Sequence, residues 1–161
     1  MRRVLPIEHY FLDYGKQDRG LSEFVEKISI PRPHPETVFK AYKISKRFDQ
    51  DISAVLGAFC LTFDHDRIVA ARIAYGGMAG TPKRSPSAEA ALTGKRLDRA
   101  AIETAMDALA ADFTPLTDMR ASADYRMAVA RNLLLRLLAE ADDSGVETRL
   151  WDKREISHDH A

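Results

Sequence analysis

The sequence predicts an α+β domain in which a small antiparallel sheet of about three to four strands packs on about three helices, strands first and helices last. Three observations carry this reading. Apolar residues recur at every second position as far as Tyr75, and after Gly77 they recur about every 3.6 residues. Between the two regimes stands the glycine pair Gly76-Gly77, which marks the change from strand to helix.

Taken in order, residues 1–20 mix aromatics (Tyr10, Phe11, Tyr14) with charges and show no period. They read as a lead-in that packs against something outside the chain. Glu23 to Ile30 alternates, with Phe24, Ile28 and Ile30 as its apolar members, and predicts a strand. Pro31, Pro33 and Pro35 end it, because each lacks the N–H that a ladder needs. Thr37 to Ser45 is rich in β-branched and aromatic residues and predicts a second strand.

Ala54 to Phe63 and Ile68 to Tyr75 flank the polar tetrapeptide Asp64-His65-Asp66-Arg67, the pattern of an antiparallel hairpin. Val55, Phe59, Leu61 and Phe63 share one face, and Ala54, Leu56, Ala58 and Cys60 share the other. Both faces are expected to be covered, as in a central strand. Ser87 to Leu92 suits a short helix ended by Gly94. Asp98 is a cap for a second helix with the stripe Ile102, Met106, Leu109 and Phe113, closed by Pro115. Ser122 begins a third, with Tyr125, Val129, Leu133 and Leu137 as its predicted stripe. The domain proper is therefore expected over residues 21–141, and the charged, aperiodic residues 142–161 read as a mobile tail.

Composition excludes several functions. With 24 basic and 24 acidic residues the net charge is zero, which argues against a nucleic-acid binder. No apolar run approaches the roughly 20 residues of a membrane span, and the first residues, MRRVLPIEHYF, lack the apolar core of a signal peptide. Cys60 is the single cysteine, so the chain forms no internal disulfide and cannot by itself hold an iron–sulfur cluster. A reduced, cytoplasmic setting is the simplest expectation.

Two segments could carry chemistry. Lys43 to Asp51 (KISKRFDQD) places Lys43, Lys46 and Arg47 beside Asp49 and Asp51. It reads either as a solvated loop with Asp51 as a cap, or as a loop that holds a cation beside an electron-rich ring. Lys43 lies inside a predicted strand, which fixes its direction better than a loop would. Gly76-Gly77-Met78-Ala79-Gly80, followed by Lys83 and Arg84, would let a backbone approach a ligand. It matches neither phosphate-loop nor dinucleotide fingerprints, and a tight strand-to-helix turn explains it equally well. Asp64-His65-Asp66 and His158-Asp159-His160 fit a hairpin turn and a terminus better than a metal site. Cys60 reads as a small core residue, and Trp151 as a lone aromatic that could dock on a partner.

YKISKRFDQDISAVLGAF from Tyr42 to Phe59 and YGGMAGTPKR from Tyr75 to Arg84 resemble the C-terminal domain of the FAD-carrying subunit of bacterial xanthine dehydrogenases. The wider family includes the flavoprotein domains of carbon monoxide dehydrogenase and aldehyde oxidase. The resemblance continues through ADFTPLTDMRASADYRMAVARNLLLRLL, and upstream LPIEHYFLDYGK and EFVEKISIP resemble the stretch that joins the FAD-binding domain to this one.

The resemblance implies a three- or four-stranded antiparallel sheet on three helices, closing one side of an FAD pocket. Electrons from purine oxidation at molybdopterin would pass through iron–sulfur clusters to FAD and on to NAD. By resemblance Lys43 lies near the isoalloxazine, where its charge would favour the reduced, anionic ring, and Val25 contacts FAD. Ile44 to Gln50 lies near the ring and the nicotinamide approach, and Tyr75, Gly76 and Gly77 are weaker candidates for the same neighbourhood. The main FAD domain, the iron–sulfur domains and the molybdenum domain would be the partners, and a homodimer is another way to cover exposed apolar surface. The isolated chain is expected to bind FAD weakly or not at all. The competing reading is a non-catalytic assembly domain that keeps the fold without the flavin role.

Overall fold

The structure, a computed structural model, describes residues 2–47, 50–141 and 148. Its main sheet has four strands: β3 (Thr37–Ile44), β4 (Val55–Asp64), β5 (Arg67–Gly76) and β6 (Lys83–Arg84), in the order β3-β4-β5-β6 and antiparallel throughout. They are preceded by a small ribbon of β1 (Phe11–Asp13) and β2 (Lys16–Gln17) and followed by α1 (Pro86–Leu92), α2 (Arg99–Asp112) and α3 (Ala123–Ala141). Strands first and helices last is the observed order.

Alternation along the strands builds the core. Tyr42, Val55, Phe59, Leu61, Ile68, Ile73 and Tyr75 point to one face of the sheet and meet Leu92, Ile102, Leu109, Leu134 and Leu137 of the helices. Phe59 and Tyr75 are fully enclosed, and burying a large apolar side chain of this kind contributes about 1.5–3 kcal/mol. The expected helix signals operate: the Asp98 carboxylate accepts from the Ala101 amide (2.9 Å) and starts α2, and Gly94 takes φ +80° just past α1. Asp112, at the end of α2, reaches back to Ser85 Oγ (2.6 Å) and the Ser87 amide (2.9 Å), so one carboxylate fastens the start of α1 to the end of α2.

The structure corrects several expectations. The hairpin turn is tighter than four residues: Asp64 pairs with Arg67, so only His65 and Asp66 form the loop, with His65 at φ +54°. Glu23 to Ile30 is not a strand, because no other strand of the described chain lies alongside it. The hairpin is not covered on both faces: Leu56, Ala58 and Cys60 lie on the side away from the helices and are only partly shielded or exposed. Cys60 is accordingly half-buried rather than a core residue.

On α3 the buried face is Arg126, Ala130, Leu133, Leu134 and Leu137, so the predicted stripe is rotated and Tyr125 is exposed. The lead-in, read as aperiodic, holds a short 3-10 turn (Ile7–His9) and the β1–β2 ribbon. The expected mobile tail, with Trp151 and His158-Asp159-His160, lies outside the described residues except for Thr148.

Candidate functional site on the open face of the sheet

Register places the sequence-predicted residues. Lys43 stands opposite Leu56, and Leu56 opposite Gly76, so the three form one row across β3, β4 and β5. The next row in the same direction is Ala41, Ala58 and Ala74, and the one after it Phe39, Cys60 and Arg72. These rows occupy the face that the helices leave open. The lead-in meets that face at the β5–β6 margin, where Glu8 accepts from Arg72 (2.8 Å) and pairs with Arg84 (3.8 Å). The small side chains of the alanine row keep the surface shallow. Phe39, at 62% exposure, stands at one side of it and Lys43 at the other.

The three cations of KISKRFDQD now separate. Lys46 donates to the Met119 carbonyl (2.6 Å), and Arg47 pairs with Asp51 (3.5 Å). Lys43 has no hydrogen-bond or ion-pair partner among the described residues, so its ammonium is available on the open face. Asp51 does act as a local cap: it accepts from the amides of Arg47 (3.0 Å) and Ile52 (2.9 Å). The Arg47 amide chiefly, aided by the Arg47 side chain, holds its carboxyl below the usual range. Both readings of the loop therefore have a residue each, with Asp51 structural and Lys43 free.

The remaining candidates fall in different places. The Ile44 side chain packs toward the core, and its carbonyl accepts from the Ala54 amide (2.8 Å), closing the loop between them. Tyr75 points to the opposite face from Lys43, with its hydroxyl donating to the Ala130 carbonyl (2.9 Å), and burial pushes that hydroxyl's pKa up. Gly76 shares the row of Lys43. Gly77 takes φ +81°, and a Cβ there would run into the Ala54 carbonyl and the Arg126 guanidinium, so this position requires glycine for the turn itself. Val25 is half-exposed in an irregular stretch. Lys83 and Arg84, the cations after the glycines, are engaged with the Asp112 carbonyl (2.8 Å) and the Glu89 carboxylate (2.6 Å).

Sequence reading missed Arg126. Its side chain is 4% exposed, yet its guanidinium donates to the carbonyls of Ala54 and Gly77 and to Asp118 (2.7 Å). It thus fastens together the ends of the 45–54 loop, the Gly77 turn and the 117–122 loop, all at the end of the sheet where Lys43 sits. The signal that could have found it was the run Ala130, Leu133, Leu137, whose face extends back to position 126. Asp118 is held at about 2 by the amides of Arg120 and Ala121 and by Arg126 itself. In front of this network lies an open cleft of about 480 Å³ lined by Ser45, Lys46, Thr117, Asp118 and Tyr125.

Residues 40–141 match the profile of the CO dehydrogenase flavoprotein C-terminal domain. The chain belongs to that family. The chain is 36% identical over 141 residues to the nicotine 6-hydroxylase medium subunit of Paenarthrobacter nicotinovorans, covering 87% of this chain and 48% of that one. It is 34% identical over 132 residues to the xanthine dehydrogenase of Blastobotrys adeninivorans, covering 78% of this chain and 9% of that one. A structure of carbon monoxide dehydrogenase from Hydrogenophaga pseudoflava superposes with a TM-score of 0.62 at 30% identity, over 66% of this chain and 37% of that one. This CO dehydrogenase flavoprotein C-terminal domain therefore spans at most about half the length of these relatives. Its family establishes the sheet-on-helices fold described above.

Proposed function

We propose that this chain supplies one wall of the flavin pocket in a molybdenum hydroxylase of the xanthine dehydrogenase branch, an enzyme that hydroxylates purines and passes electrons through FAD to NAD. The observation that carries the reading is Lys43: a cation without a partner, fixed by a strand, on an open sheet face in one row with Leu56 and Gly76. An ammonium so placed favours negative charge brought against that face. Gly76 leaves its backbone approachable, and Leu56 adds apolar surface that excludes water. FAD, when bound, supplies hydride chemistry that no side chain here could supply. Val25, Ile44, Tyr75 and Gly77 belong to the same neighbourhood in this reading, Ile44 and Gly77 through their backbones.

The residues present fit one side of a flavin ring and not a whole dinucleotide. Lys83 and Arg84 are occupied internally, and the glycine turn is closed by Arg126, so no phosphate cradle stands among the described residues. The FAD-binding, iron–sulfur and molybdenum domains would be the partners, with molybdopterin and the clusters on those other parts, in a cytoplasmic enzyme. No described helix is long and apolar enough to cross a membrane.

In the assembled enzyme, Lys43→Ala is expected to slow NAD reduction by about tenfold, equivalent to ~1.4 kcal/mol, while purine-to-cluster electron transfer survives. Unchanged flavin kinetics and potential would remove Lys43 from the site. The absorption spectrum of the chain after FAD addition and desalting should be colourless; retained flavin bands would show a pocket complete in this chain. The second reading is an assembly domain without a flavin role, favoured by the lack of a phosphate cradle. Co-purification separates the two, because a restored NAD-reducing activity requires the first.

A further inference from the structure

The segment from Glu23 to Ile30 has the sequence of a strand and, in this fold, no sheet. None of its amides from Phe24 to Ile30 donates a hydrogen bond among the described residues. Its apolar side chains stand in water: Phe24 is 80% exposed, Ile28 70% and Ile30 84%. Phe24, Ile28 and Ile30 share one parity, and Glu23, Lys27 and Ser29 the other, the two-sided pattern of a half-buried strand. The segment is anchored at its start, where Glu23 accepts from Arg3 (2.7 Å) and from the Gly20 amide (2.7 Å). Pro31 and Pro33 limit its run at the other end.

The family match begins at residue 40, so this stretch lies before the domain. Yet the likeness to the nicotine 6-hydroxylase medium subunit covers 87% of this chain, more than everything from residue 40 onward could supply. A continuous stretch of that extent must include residues 23–30. The segment is thus shared with a protein about twice as long, and the extra length is where its missing neighbour would be.

We propose that residues 23–30 are a strand belonging to a sheet in the FAD-binding portion of the same enzyme. The strand adds to an open sheet edge there through its main chain, with Phe24, Ile28 and Ile30 filling an apolar groove. Lys27 and Ser29 face away. The strand thereby ties this domain to the part that would hold the rest of the flavin, and the proposal rests on the flavin-wall reading for the identity of that partner.

The test is amide hydrogen exchange on the 161-residue chain, alone and co-expressed with the FAD-binding portion of its enzyme as a separate polypeptide. Alone, the 23–30 amides should exchange within seconds. In the complex, alternate amides should slow by roughly 100-fold or more. Ile28→Asp should weaken the complex by at least about tenfold and Lys27→Asp should not, while both variants keep the melting midpoint of the parent because neither side chain is buried. Absence of a complex, an unprotected segment within it, or equal effects of the two variants would overturn the proposal. So would protection that appears in the chain alone with a dimeric mass, which would give the strand to a second copy. If the strand is protected but Lys43→Ala leaves flavin chemistry unchanged, the flavin-wall reading fails and the strand does not.

Discussion

Replacing Arg126 with methionine keeps most of the buried aliphatic volume and removes the guanidinium. The Ala54 and Gly77 carbonyls then lose a charged donor in a place where the arginine side chain had only 4% exposure. A buried polar group left unsatisfied costs about 1–3 kcal/mol. Asp118, 39% exposed and still holding the amides of Arg120 and Ala121, can rehydrate and adds little. Two carbonyls therefore set the expected loss at about 2–4 kcal/mol, allowing for partial relaxation. For a chain of this size that corresponds to a fall in Tm of roughly 4–16 °C.

Urea unfolding followed by circular dichroism measures the loss, with the slope m serving as a check that the unfolded state is unchanged. Arg126→Lys should fall between the two, since a single ammonium cannot serve three acceptors with the geometry of a planar fork. Exchange of the Ala54 amide, which closes the 45–54 loop on Ile44, should quicken more than that of central β4 amides. A methionine variant within about 0.5 kcal/mol of the parent would refute the idea that these three segments depend on one side chain.

Glu140 gives a pH-dependent test. Burial opposes its charge, but hydrogen bonds from Thr148, Arg136, Tyr42 and Lys40 outweigh burial and hold it at about 2 against an ordinary 4.5. Its folded pKa is depressed, so its contribution is complete above about pH 4.5 and is lost as pH falls toward 2. Glu140→Gln should cost about 2–3 kcal/mol at pH 7, with the difference from the parent closing through that window; a constant difference would reject the linkage. Cys60, half-buried on the open face, should react with one equivalent of a thiol reagent in the folded chain and be shielded when the FAD-binding portion is present. Labelling that is equally fast with and without that partner would mean the open face stays open.

Legibility followed the range of the forces involved. The period-two run from Ala54 to Tyr75 and the caps at Asp98 and Gly94 are local, and each appears in the structure close to where the residues place it. The α3 stripe was rotated because Arg126 is a charged residue at a core position. Only the carbonyls of Ala54 and Gly77, far away in sequence, make that position tolerable. The same holds at the site. That Lys43 carries a free charge depends on Met119 accepting from Lys46 and on Asp51 pairing with Arg47, and the first of those partners is remote.

By itself the sequence determined the order of elements, the strand-to-helix change at Gly76-Gly77, the exclusion of disulfides and the segment in which a free cation would be found. Periodicity, caps and turns are properties of neighbouring residues and need no knowledge of the rest. Tertiary structure decided which face of the hairpin is covered, that Lys43 and Gly76 share a row, and that Tyr75 looks the other way. It also decided that Glu23 to Ile30 has no sheet within the described chain. Those outcomes depend on what packs against each strand, and a strand's own residues cannot specify a neighbour that lies far along the chain or on another one.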